Sequence, residues 1–194
     1  MNSRTPPERF TVGISQQVLR FFGVAGIALA GATLIAWGLM SSFPRAEFGP
    51  TLRFPLTFIA TTILLLGGSG ALERSLHFVR QERQREFRWW LLIGLILGDA
   101  FIGTQTFALW SMFPEHRSPE DASLESTAFA LALAALHGLH FLVAVLFVSW
   151  ITARAWANRY DHEYFWGVRF CAWFWHALGV VWIAILFVFL IAAR

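Results

Sequence analysis

The chain reads as an all-α, polytopic membrane protein: one bundle of five transmembrane helices over residues 1–194, with the N-terminus cytoplasmic and the C-terminus outside. Three observations predict this. Of 194 residues, 57% are hydrophobic and only 14% are charged, whereas a soluble domain carries about a quarter charged residues. Five apolar runs are each long enough, at about 1.5 Å per residue, to cross a hydrocarbon core of about 30 Å. All 15 basic residues are arginine, with no lysine, and they gather toward one side of that arrangement.

The first helix is expected over about 19–41. Residues 21–40 carry no charge, and Ala28, Ala32 and Ala36 recur every fourth residue. They make the small-residue face that allows close helix contact where lipid removes the hydrophobic drive to associate. The second helix, about 54–79, has Pro55 in its first turn, where proline is tolerated, and a small patch of Gly67, Gly68, Gly70 and Ala71. Residues 80–88 are the most charged stretch and read as a short turn in water. The third helix, about 88–113, opens on the interfacial anchor Trp89 and Trp90 and carries Gly94-x-x-x-Gly98 and one acid, Asp99. An acidic loop leads to the fourth helix, about 124–156, where Ala130, Ala134 and Gly138 form a small stripe beside His137. The fifth, about 164–193, is dense in aromatics, among them Trp173, Trp175 and Trp182.

Five spans put the N-terminus, the second connection and the fourth connection on one side. That side holds Arg4, Arg9, Arg20, Arg80, Arg83, Arg85, Arg88, Arg154 and Arg159, against Arg45, Arg53, Arg117 and Arg194 on the other. The positive-inside rule makes the arginine-rich side cytoplasmic. The polar start, with Pro6, Pro7, Glu8 and Arg9, does not have the layout of a cleavable signal, so the first span is expected to be retained. The single cysteine, Cys171, excludes an intrachain disulfide and a Cys-x-x-Cys-His haem attachment.

Chemistry within the spans rests on few residues. His137 and His140, with Gly138 between them, are three apart on one helix, which sets them near one face. An ionisable residue at membrane depth is expected to face other helices, a cavity or a cofactor. Asp99 is ten residues from Trp89 and His140 thirteen from Ala153, or about 15 and 20 Å from the same surface. A buried Asp99–His140 hydrogen bond is therefore expected if the third and fourth helices touch, and the same count sets Gln105 level with His137. A b-type haem between His176 and His140 or His137 is the competing reading, which would make the chain a small membrane cytochrome or quinol-reactive subunit. A zinc-type metal site is not expected, since Asp99 and Cys171 are the only nearby further ligands. A transporter-like bundle lacks a mid-membrane broken helix or an inverted repeat. No phosphate loop, nucleophile motif or carboxylate pair appears, so no catalytic residue is assigned.

The chain from about Phe54 onward resembles subunit III of the haem-copper oxidases, the cytochrome c and ubiquinol oxidases. The resemblance rests on four segments in order. His137-Gly-Leu-His140 is similar to the family's His-Gly-Leu-His element. Trp173-Phe-Trp-His176 followed by Val180-Val181-Trp182 is similar to its Trp-Tyr-Trp-His and Val-Val-Trp segment. Thr62-x-Leu-Leu-Leu66 followed by Gly67 and Gly68, and Leu97-Gly98-x-x-Phe101 with Gln105, are similar to two further helices. Bacterial members often lack the first two helices of the seven-helix form. Three ionisable positions depart from the pattern: Ala108 and Gly179 stand where Glu and Asp are usual, and Arg169 where Glu is usual.

The resemblance implies a non-catalytic accessory subunit with no cofactor of its own, in the bacterial inner membrane. It implies a large partner subunit that holds haem and copper, other oxidase subunits as neighbours, and bound phospholipid. His137, Gly138, His140, Trp173, Trp175, His176, Trp182 and Gln105 would then be structural, and the complex an oxidase or nitric oxide reductase.

Overall fold

The computed structural model describes residues 9–43, 56–112, 124–157, 160 and 165–192. These form five helices and no strand: α1 (Arg9–Ser42), α2 (Leu56–Arg80), α3 (Gln84–Met112), α4 (Leu124–Trp156) and α5 (Trp166–Ala192). The stretches Gln16–Ser42, Gln84–Ser111, Ala132–Trp156 and Trp166–Val188 are each long and apolar enough to cross a bilayer. This is a multi-pass helical membrane protein. Helix α1 starts ten residues earlier than expected, because absence of charge marks the hydrocarbon depth, while a helix continues through polar residues until something breaks it.

The charged stretch 80–88 is mostly helix rather than turn. Three residues, 81–83, join α2 to α3, and their geometry is a Schellman ending. Arg83 N–H donates to Phe78 O (3.1 Å) and Glu82 N–H to Val79 O (3.2 Å). Glu82 has a φ of 59°, the left-handed conformation that this ending requires. So short a link forces α2 and α3 side by side and antiparallel.

Helix directions follow from which residues meet. Along α2 and α3, a Cβ on Gly94 would lie 3.4 Å from Leu72 and one on Gly67 3.4 Å from Leu97, so one numbering rises as the other falls. Between α3 and α4 the Phe101 and Phe141 rings are 4.1 Å apart, and Gly98 faces Val145, again antiparallel. Between α1 and α3, Gly31 meets Asp99 and Ile35 meets Gly103, so these two run parallel. Helix α3 touches α1, α2 and α4, while α5 closes on α2 and α4.

Small residues let these helices approach. Ala25, Ala28, Ala32 and Ala36 are all buried and form the inner face of α1, the face expected from their spacing. Their counterpart is Gly103, where a Cβ would fall 2.7 Å from Ile35 Cβ and 2.8 Å from Ala32 O. The opposite flank of α1, with Leu19, Phe22, Ile27, Leu34 and Trp37, is exposed. The centre of the bundle is aromatic: Phe58, Phe101, Phe141, Trp175 and Trp182 are fully buried.

At the arginine-rich end, the α2–α3 link lies beside the α4–α5 connection. Gln84 Nε2 donates to Tyr160 O (2.9 Å), and the Arg80 guanidinium sits 5.0 Å from the Phe165 ring centroid. Arg74 over Trp90 (5.2 Å) and Arg169 over Trp166 (5.2 Å) repeat this pairing. Burial raises the Tyr160 phenol above its ordinary pKa, opposed by the Arg154 cation, whose guanidinium lies 5.4 Å from the ring.

Candidate functional site

Polar groups of the family motifs meet at two places inside the bundle, the α2–α5 seam and the α3–α4 contact. Along the seam, α5 presents Trp182, Trp175 and His176 to one face of α2. Trp182 Nε1–H donates to Thr62 Oγ1 (3.1 Å), and Thr62 donates onward to Phe58 O (2.7 Å). Trp175 Nε1–H donates to Leu65 O (3.2 Å), and its ring lies against Gly68, where a Cβ would collide with it. His176 Nε2 donates to the Glu73 carboxylate (2.9 Å), so its Nδ1 is left to accept from the Ser69 hydroxyl. Every polar atom that α5 brings to this seam therefore has a partner on α2.

The family-motif residues divide by burial. Trp175, Trp182, Gln105 and His137 are buried; Trp173 is exposed and lies beneath Arg169, 5.5 Å from ring centroid to guanidinium. A Cβ at Gly138 would meet nothing within 4 Å. His137 stacks on Trp182 (centroids 5.4 Å, planes 21°) and meets Phe101 edge-on (6.4 Å, 85°).

The histidine pair separates. His137 turns into the core, but His140 is exposed, and its Nδ1–H donates to Leu136 O of its own helix (2.8 Å). The expected Asp99–His140 bond does not form. Asp99 points to α1, its Oδ2 being 3.7 Å from a Cβ built on Gly31, and the α3–α4 register sets it level with Val143 rather than His140. Gln105, by contrast, does fall level with His137.

The haem reading needs His176 to converge with His140 or His137, both on α4. His176 turns to α2, both its nitrogens engaged, and α2 makes no contact with α4, the helix of His140, among the described residues. No group of three His, Cys, Asp or Glu lies together among the described residues. Ser69 and Glu73 were not singled out from sequence. Their one-turn spacing on the face that carries Gly68 was the available signal, but it needed a known partner helix to be read.

Taken together, these contacts define a helical membrane protein whose α5 tryptophans and histidine are bonded to α2. Its sequence matches cytochrome c oxidase subunit III over residues 29–192, and the chain belongs to that family. It is 29% identical over 139 residues to a probable quinol oxidase subunit 3 of Staphylococcus haemolyticus, covering 69% of this chain and 65% of that one. It is 26% identical over 141 residues to cytochrome c oxidase subunit 3 of Spodoptera frugiperda, covering 73% and 92%. With the Patiria pectinifera subunit 3 the identity is 25% over 142 residues, covering 73% and 52%. The chain thus spans from about half to two thirds of the length of several relatives it matches.

Proposed function

We propose that this protein is a non-catalytic, cofactor-free accessory subunit of a respiratory haem-copper terminal oxidase. It packs against the large subunit that carries haem and copper, supports that subunit's fold, and holds phospholipid in its outer grooves. The observation that carries the reading is the family match across 29–192, together with histidines engaged in helix contacts rather than turned to a common ligand space. His137, Gly138, His140, Gln105, Trp173, Trp175, His176 and Trp182 act as structural elements in this reading. The site is a bacterial inner membrane, crossed five times, with the N-terminus cytoplasmic. Antiparallel alternation of the helices and the arginine–aromatic end formed by the α2–α3 and α4–α5 connections support that orientation.

Affinity purification of the tagged full chain from its native membrane tests the reading. A haem-copper subunit is expected to co-purify, and the separated chain should show no Soret band. Co-purification with a membrane complex that lacks a haem-copper centre would overturn it.

A further inference from the structure

We propose that Gln105 and His137 form an internal hydration site, in which one water molecule bridges α3 and α4 in the middle of the bundle. Gln105 is 2% exposed and His137 3%. All four of their side-chain polar atoms, Oε1 and Nε2 of Gln105 and Nδ1 and Nε2 of His137, are without a hydrogen-bond partner among the described residues. Buried polar groups in native proteins are paired, directly or through ordered water. Two complete orphans in one place are therefore an observation about a ligand.

Register brings them together. Phe101 and Phe141 are in ring contact on antiparallel helices. Gln105 is one turn beyond Phe101, and His137 is one turn before Phe141, so the amide and the imidazole occupy the same level of the same interface. The neighbouring polar groups are either engaged elsewhere or turned away. Trp182 donates to Thr62, Thr106 to Ile102 O, and Ser111 to Ala108 O. Asp99 faces α1, and His140 bonds its own helix. Stacking on Trp182 and edge contact with Phe101 fix the imidazole plane, which limits how far its nitrogens can turn toward the amide.

The chemistry of the occupant follows from this. It must be small, because aromatic rings line the place, and neutral, because among the described residues no countercharge faces it. It must also both donate and accept, since a neutral imidazole offers one of each and the amide offers both. Water meets all three conditions, and its two-sided bonding would tie α3 to α4.

Synchrotron hydroxyl-radical labelling of the intact protein in H2¹⁸O tests this, since ionising a bound water oxidises the side chains beside it. The expected result is ¹⁸O incorporation at the buried Phe101 and Phe141, at least about fivefold above the equally buried Phe87 at the cytoplasmic-type end. It should fall to the Phe87 level in Gln105→Leu/His137→Phe. Labelling of Phe101 and Phe141 no greater than that of Phe87 in the unaltered protein would overturn the proposal without any variant having to fold. So would a high-resolution structure with the Gln105 amide bonded directly to the His137 ring.

Discussion

Gly103→Ala should loosen the bundle, while Gly138→Ala should tighten it. At Gly103 the added methyl would sit 2.8 Å from Ala32 O and 2.7 Å from Ile35 Cβ, where ordinary carbon–oxygen contacts are about 3.3–3.6 Å. Because the oxygen belongs to backbone, a rotamer change cannot relieve it, and α1 must retreat from α3 by about 0.6 Å. A gap of that size forfeits about a quarter of the dispersion energy of each contact it opens. It opens them along the whole Ala25, Ala28, Ala32, Ala36 face. Overpacking of this kind costs about 1–3 kcal/mol, offset by about 1 kcal/mol from the better helix propensity of alanine. The net loss is about 0–2 kcal/mol. At Gly138 nothing lies within 4 Å, so only the propensity gain of about 0.5–1 kcal/mol operates. Cys171 supplies the assay, being the single thiol of the chain and fully buried. Maleimide labelling in mild detergent, in the regime where opening equilibrates before reaction, reads the opening constant directly. At tenfold per 1.4 kcal/mol, Gly103→Ala should label up to about 30-fold faster and Gly138→Ala about 2- to 5-fold slower. Equal rates for the two variants, or slower labelling of Gly103→Ala, would refute the close α1–α3 approach.

Three further outcomes are expected. Glu82→Gly should stabilise the protein by about 1 kcal/mol, because its φ of 59° costs a side-chain-bearing residue what glycine avoids; slower Cys171 labelling checks this, and faster labelling contradicts it. Trp182→Phe and Thr62→Val should each destabilise, with a coupling of about 0.6–1.5 kcal/mol in the double-mutant cycle from their shared 3.1 Å bond; strict additivity would show that the bond contributes nothing. Tyr160 should ionise only above the ordinary tyrosine value of about 10, since burial raises it. As a raised group, it contributes stability that is fully present below pH 10 and lost as pH climbs through its folded value. An alkaline ultraviolet titration in a Tyr164→Phe background should move back toward pH 10 when the chain is unfolded in detergent.

What could be read from residues alone, and what could not, divides along one physical line. Axial quantities were legible: the five runs and the level of Gln105 with His137. Rotation about a helix axis was legible only in α1, whose small side chains mark contact whatever the partner. Helix α4 is apolar all round, so no hydrophobic stripe says which side faces inward. His137 and His140, about 60° apart on it, could not be assigned as one buried and one exposed. Asp99 suffered the same ambiguity and turned to α1. Glu73 read only as the place where charge resumes, because its partner His176 is 103 residues away.

That separation has a consequence in time. Each bond of the α2–α5 seam spans 103 to 120 residues. At a synthesis rate of about 5–20 residues per second, Thr62, Ser69 and Glu73 emerge about 5–24 seconds before the tryptophans and histidine that complete them. During that interval α2 rests beside α3 with an open flank, and the bundle stays an unclosed ring. The fifth helix is thus the one that locks the second, and until it is made the Ser69 hydroxyl and the Glu73 carboxylate lack the histidine that joins them.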